Sequence, residues 1–331
     1  MRTLLLAFLG GLIGCSMLKA PSESHIEFGA NGAVSNSSFP LMVGTRDEHG
    51  VVQVSKHALD VNPATPWQWA SVTKQFIAVL VMQDVEAGRL ALSDTLAQRL
   101  PRFSKDREDV TVEHLLRHFS GLGKPEALPK TMETDPLTFC DLPVQAKPGA
   151  QFDYNNCDTA IAAAILEEVN GKPWAELLEE RILKPLGMNS SGVLVAPSEN
   201  GDVITSGAPH LYGASAAMYG SMEDLLAFDT GLMSGALLSK SSLEVLWDGR
   251  PKDGFVALGA WEFEASLQGC AEPVRIVERR GDIADIQVIN VFAPELNRSV
   301  AAFTREPGVS FGEIWQKRGA SYELASHAFC N

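Results

Sequence analysis

Trp67-Gln68-Trp69-Ala70-Ser71-Val72-Thr73-Lys74 sets a hydroxyl and an amine three residues apart at the mouth of a helix. Between 72 and 88, apolar side chains fall at Val72, Phe76, Ile77, Val79, Leu80, Val81, Met82 and Val85, a broad helical stripe that Gly88 closes as a C-cap. Ser71 and Lys74, at i and i+3, share one face of the first turn. A helix N-terminus offers free backbone N–H groups and the positive end of the dipole. A serine there has a nearby base and a ready site for a developing oxyanion. The spacing alone decides little. About one Ser-x-x-Lys is expected by chance at this composition, Ser16 and Lys19 form a second, and Ser71 by itself reads as an ordinary cap.

Outward from this helix the pattern sorts by type. Residues 41–46 and 51–55 are short apolar runs around Asp47-Glu48-His49-Gly50, which predicts a β-hairpin. Residues 90–100 and 109–118 read as short helices, 123–149 as a proline-rich loop, and 158–171, 174–183, 221–234 and 239–247 as further helices, with 197–213 a loop. The runs 255–263, 275–278, 286–292 and 299–304 are short and β-branched, and Pro294-Glu295-Leu296-Asn297 predicts a turn between the last two. Residues 311–328 read as a closing helix. With strands at both ends and helices between, the simplest packing is an α+β fold: one antiparallel sheet from both ends of the chain, flanked by helices, with an all-helical region inserted. This gives a single domain over 39–331, its sheet part about 39–70 and 250–331 and its helical part about 71–249.

The chain has 331 residues, 45% of them hydrophobic and 21% charged, which is ordinary for a globular protein with a sizeable core. The formal charge is −14 and no basic stripe stands out, so nucleic acid is not an expected partner. Residues 4–14 form an apolar run behind Arg2, too short to span a bilayer but suited to a signal-peptide core. The run ends in Leu12-Ile13-Gly14-Cys15, which resembles the bacterial lipobox. That resemblance implies cleavage after residue 14, a lipid on Cys15, and residues 15–38 as a tether. Ser16, rather than Asp, implies the periplasmic face of the outer membrane. Cys140, Cys157, Cys270 and Cys330 remain; an even count in an exported chain favours two disulfides. Of the three connectivities, Cys140–Cys157 with Cys270–Cys330 is expected.

Two further stretches carry chemistry. Tyr154 lies in Phe152-Asp153-Tyr154-Asn155-Asn156, between Lys147-Pro148-Gly149 and a helix, so its hydroxyl and the Asn156 amide can face a cleft. Taken alone it reads as a surface tyrosine in a turn. Glu278-Arg279-Arg280-Gly281-Asp282 sits at a strand edge, where charges are often merely solvated. Such an edge can also offer a backbone N–H and a cation to a substrate carboxylate.

Together these pieces resemble the serine β-lactamase and penicillin-binding-protein superfamily, on the side of class C β-lactamases and their esterase and peptidase relatives. The resemblance runs from about 66 to 243. It rests on Ala70-Ser71-Val72-Thr73-Lys74, on Gly88-Arg89-Leu90-Ala91-Leu92-Ser93-Asp94, on Val110 through Leu122, on Pro148-Gly149 with Tyr154-Asn155-Asn156, and on Lys184-Pro185-Leu186-Gly187-Met188. It implies that Ser71 is an acyl-accepting nucleophile and that Lys74 takes its proton or keeps a neighbour deprotonated. Tyr154 would shuttle protons to the leaving group and to water, and Asn156 would orient the substrate amide and Lys74. The backbone N–H groups of Ser71 and Asp282 would form the oxyanion hole. Where the family carries Lys-Thr-Gly or His-x-Gly, this chain has Arg279-Arg280-Gly281. Arg279 keeps the positive charge and could grip a substrate carboxylate bidentately, with Gly281 beside it, but it cannot relay a proton. Ala216-Ala217 also stands where relatives often have glycines.

Two rival sites are weaker. His114 and His118 have a spacing that can bind zinc, but Leu115 follows His114 and no third ligand is evident. Gly213-Ala214-Ser215-Ala216-Ala217 only loosely resembles a nucleophile elbow. The sequence therefore points to a lipid-anchored serine hydrolase of the cell envelope, without cofactor or metal. Its expected substrates are small-molecule or peptide esters and amides, with D-alanyl peptides, β-lactams and small carboxylic esters as candidates. An esterase or peptidase is favoured over a dedicated β-lactamase because of Arg279. The alternative is a non-catalytic protein of the same fold that binds cell-wall peptides or a partner.

Overall fold

The computed structural model describes residues 24–103, 105–127, 136–198 and 202–330. The signal-peptide and lipidation expectations, Cys15 included, lie outside the described residues. In chain order the strands are β1 (Ile26–Phe28), β2 (Val34–Ser37), β3 (Leu41–Arg46), β4 (Val52–His57), β5 (Trp67–Gln68), β6 (Gly192–Val193), β7 (Met218–Gly220), β8 (Trp261–Ala265), β9 (Val274–Ile283), β10 (Ile286–Ala293) and β11 (Arg298–Thr304). The helices are α1 (Thr73–Glu86), α2 (Leu96–Arg99), α3 (Val112–Leu116), α4 (Pro136–Phe139), α5 (Asn156–Asn170), α6 (Trp174–Leu178), α7 (Lys184–Leu186), α8 (Met222–Met233), α9 (Lys240–Leu246) and α10 (Ala320–Cys330).

The main sheet is antiparallel, with strand order β4-β3-β11-β10-β9-β8. The two ends of the chain meet in it, because β3 pairs with β11, Val43 opposite Ala302. Both faces are covered, which is why these strands are near-continuous apolar runs. Met42, Val277, Val288, Phe292, Ala301 and Phe303 point into the helical side with Phe76, Leu225 and Phe228. Their neighbours Val43, Ile276, Ile289, Val291 and Ala302 point the other way, against Leu324 and Phe329 of α10. The period-2 alternation of strand side chains thus splits one sheet between two cores.

α1 is the axis of the helical side. Its residues from Thr73 to Met82 are all buried, so it is enclosed all round rather than striped. The chain leaves it through Ala87 and Gly88, whose φ of 69° supplies the left-handed turn expected there.

Four expectations are corrected. The inserted region is not all-helical: β5, β7 and β6 form a small sheet in that order. The part of the expected tether from residue 24 to 38 is instead the β1–β2 hairpin, held to α10 by Ser24 Oγ accepting from the Ala320 N–H (3.1 Å) and Phe28 stacked on His327. The strand expected at 255–263 begins only at Trp261. The closing helix starts at Ala320, because 312 and 319 are glycines packed backbone to backbone and a 3₁₀ turn, Ile314–Gln316, fills the interval. Both disulfides have the expected pairing, Cys140–Cys157 and Cys270–Cys330. No described helix is long and apolar enough to cross a membrane.

Candidate active site

Ser71 lies in a 3₁₀ turn, Ala70–Val72, that leads into α1. Ala70 is held at φ 46°, a left-handed conformation that a non-glycine residue adopts only when its surroundings fix it. Here the Ala70 carbonyl accepts from Thr73 Oγ1 at 2.7 Å, and Thr73 Oγ1 in turn accepts from the Met218 N–H at 3.2 Å. Gly281 of β9 packs under the same turn. A Cβ at 281 would stand 2.1 Å from the Trp69 carbonyl oxygen and 3.1 Å from the Ser71 nitrogen, so only glycine allows this approach.

Lys74, one turn on, is almost fully buried. Its Nζ is 3.1 Å from Ser71 Oγ, 2.8 Å from Asn156 Oδ1 and 2.7 Å from the Ser215 carbonyl. The last two atoms can only accept, so two of the lysine's positions are fixed as donors and the third faces Ser71. Tyr154 reaches the centre from the loop before α5. Asn155 caps α5 by accepting from the Cys157 N–H (3.0 Å) and donates to the Leu122 and Gly123 carbonyls, which locks the loop on both sides of the tyrosine. The Tyr154 hydroxyl is 2.7 Å from Ser71 Oγ.

Arg279 completes the cluster from the sheet. It is 2% exposed; Nε donates to the Ser71 carbonyl and Nη2 to the Tyr154 hydroxyl, both at 2.8 Å. The side-on fork expected to hold a substrate carboxylate is therefore engaged within the protein. Ser71, Lys74, Tyr154, Asn156, Arg279 and Gly281 all converge on one centre. Asp282 follows at the wall of the adjoining cavity.

The electrostatics follow from burial and like charge. Burial lowers the Lys74 ammonium to about 8, with Arg279 acting in the same direction. Burial alone would raise the Tyr154 phenol, but Arg279 first and then Lys74 outweigh it and bring the group down to about 7. Behind Tyr154 the His118 ring lies 4.5 Å away, centroid to centroid, with Nδ1 3.2 Å from Asp158 Oδ2. Burial, then Arg279 and Lys74, push His118 well below its ordinary range, so the imidazole stays neutral against the two cations. His118 lies beyond the end of α3 at φ 58°, so the helical spacing with His114 is not realised, and no metal-binding cluster occurs among the described residues.

Sequence reasoning missed two members of the site. Gly213 to Ala217 forms no elbow; its Ser215 carbonyl holds Lys74. Trp261 packs on Arg279, 5.1 Å from ring centroid to guanidinium carbon. The strand edge is longer than the apolar pattern suggested: β9 runs to Ile283, whereas its pairing with β8 ends at Trp261 opposite Glu278. Residues 279–283 thus border the Ser71 turn without a partner strand on that side.

Residues 43–260, more than half of the chain, match the Beta-lactamase family. PbpX of Bacillus subtilis (strain 168), named as a penicillin-binding protein, is 30% identical over 208 residues, 58% of this chain and 52% of its own length. Esterase EstB of Burkholderia gladioli is 28% identical over 158 residues, 41% of this chain and 40% of its own. The chain therefore spans about half the length, or less, of these curated relatives. A solved D-stereospecific amidohydrolase from Streptomyces sp. shares the fold, with a TM-score of 0.70 at 21% identity over 88% of this chain and 94% of that one. With the sheet, the inserted helices and the Ser71 centre already described, this match shows that the chain belongs to the beta-lactamase family.

Proposed function

We propose that the protein is a serine hydrolase of esters or amides that works through an acyl-enzyme on Ser71. The observation that carries this reading is the contact of Ser71 Oγ with Tyr154 at 2.7 Å, while Arg279 donates to the same phenol oxygen. A phenol near 7 is a base matched to neutral pH, and Lys74 and Arg279 stabilise its anionic form. Tyr154 takes the Ser71 proton as Oγ bonds to the substrate carbonyl carbon. The negative charge on the carbonyl oxygen is met by the backbone N–H groups of Ser71 and Asp282. Collapse breaks the ester C–O or amide C–N bond, and Tyr154 returns the proton to the leaving alcohol or amine. Water then adds to the acyl-enzyme by the same route and frees Ser71. Asn156 holds Lys74 and orients the substrate amide. Small carboxylic esters, D-alanyl peptides and amides are the favoured substrates. Turnover of β-lactams is less favoured, because Arg279 stands where the family carries Lys-Thr-Gly or His-x-Gly.

The chain is further proposed to be anchored to the cell envelope by a lipid on Cys15. Support comes from the lipobox-like end of the apolar run and from two disulfides, which form in oxidising compartments. Radiolabelled palmitate incorporation that is lost in Cys15→Ser tests the anchor. For the chemistry, a fluorophosphonate probe and a panel of p-nitrophenyl esters, D-alanyl peptides and a chromogenic cephalosporin are compared between wild type and Ser71→Ala. Absence of both labelling and turnover in the wild type overturns the hydrolase reading.

A further inference from the structure

Beside Ser71 lies a cavity of about 330 Å³ at the edge where β9 outruns β8. Its lining includes Glu278, Asp282 and Glu313 together with the indoles of Trp261 and Trp315. Two arginines also border it, and both are already engaged. Arg279 serves Tyr154 and the Ser71 carbonyl. Arg280 is tied to Glu278, to the Gly312 carbonyl at 2.6 Å and to Glu313 at 3.2 Å.

The carboxylates are less fully matched. Glu278 is 3% exposed, and its Oε2 is buried with no hydrogen-bond partner among the described residues. A buried acceptor left in that condition is costly unless a donor arrives. Asp282 makes no ion pair among the described residues, although it stands next to Gly281 at the open strand edge. Burial raises the carboxyl pKa of both groups, and at Glu278 it outweighs the Arg280 guanidinium. Trp261 is already packed on Arg279, but the exposed Trp315 indole adds a face on which a cation is attracted and an anion is not.

We propose that this cavity receives an ammonium group of the substrate, so that Ser71 is acylated best by esters or amides bearing a free amine rather than a free carboxylate. The inference rests on Ser71 being the nucleophile and deepens that reading by naming a substrate class. An ammonium supplies the missing donor to Glu278, a counter-charge to Asp282 and a cation for the Trp315 indole. A carboxylate in the same place meets the unpaired Asp282, a Glu278 and a Glu313 that share the single Arg280 guanidinium, and no disengaged side-on arginine fork.

The test uses p-nitroanilides and p-nitrophenyl esters of both alanine enantiomers, each with a free, an N-acetylated or an N-succinylated amine. Assays at pH 6.5 keep an ordinary α-amine, of pKa about 7.7–8.0, mostly protonated. The readout is the ratio of kcat/KM for free-amine over N-acetyl substrate, taken within each variant so that a general loss of activity cancels. In the wild type this ratio is expected to be about tenfold or more, with N-succinyl substrates slowest. It is expected to collapse towards one in Asp282→Asn and to fall in Glu313→Gln. Fluorophosphonate labelling of Ser71 without an amine preference overturns this proposal and leaves the hydrolase reading standing. So does a ratio unchanged in both variants. Absence of labelling and of any turnover overturns both.

Discussion

Arg279 extends from β9 to within 2.8 Å of the Tyr154 hydroxyl, so a sheet residue and a helix-capping loop meet in one cluster of polar side chains. The guanidinium lowers the phenol more than any other charge does. In Arg279→Met, the pKa of Tyr154 should climb back toward its ordinary 10.0. The acid limb of the kcat/KM profile on a p-nitrophenyl ester moves up with it, and the rate at pH 7 drops by roughly 10²-fold. Arg279→Lys keeps the charge but not both contacts, and should fall between the two.

The wild-type profile has a defined sign on each side. In the proposed mechanism the active form has Tyr154 deprotonated and Lys74 protonated. Activity therefore rises as pH passes upward through about 7 and declines above about 8, where the Lys74 cation is lost. Because the two groups touch through Ser71, the limbs belong to the pair. A stopped pH series of kcat/KM checks this; a flat profile between 6 and 9 rejects Tyr154 as the base.

Removal of the centre itself should leave the fold intact. Ser71→Ala is expected to abolish fluorophosphonate labelling and to reduce ester turnover on the order of 10³-fold or more, as for other nucleophile deletions. Tyr154→Phe should lose roughly 10²–10⁴-fold, the range of a general base. Circular dichroism and thermal melts alongside the assays separate chemistry from unfolding.

Gly281 offers a structural test. A methyl group there meets the Trp69 carbonyl oxygen at 2.1 Å, and that oxygen belongs to the turn carrying Ser71. Gly281→Ala should cost about 1–3 kcal/mol of stability by overpacking. It should also depress kcat, because relief requires either β9 or the nucleophile turn to move. Denaturant melts and initial rates read the two effects separately.

Cys140–Cys157 ties a loop to the first turn of α5, three residues after Tyr154. With a sequence separation of 17, its loss in a Cys140→Ser, Cys157→Ser double variant should cost about 3 kcal/mol in the chain-entropy account. A fall in melting temperature with reduced ester turnover is expected, whereas loss of Cys270–Cys330, remote from the cluster, should affect melting alone.

Legibility of this chain in its sequence depended on how local each feature is. α1 and α5 announce themselves through their apolar spacing and caps, and the strands at both chain ends imply the antiparallel sheet. β9 runs past the expected 275–278, since Arg279 and Arg280 look like solvent residues in a one-dimensional pattern. Arg279 is buried and Arg280 half-buried in the strand because Ser71, Tyr154, Gly312 and Glu313, all distant in sequence, supply their partners. The same limit hid the Ser215 carbonyl, since a backbone acceptor carries no residue signature. The β1–β2 hairpin was missed because its apolar contacts are few and lie with α10, at the far end of the chain.

That hairpin fixes where mechanical load enters the domain. Residue 24 bonds to Ala320, the Ile26 N–H donates to Glu323, and Cys330 at the other end of α10 is bolted to Cys270. Tension applied through the segment before residue 24 is thus delivered to the last helix and its disulfide, on the sheet face opposite α1.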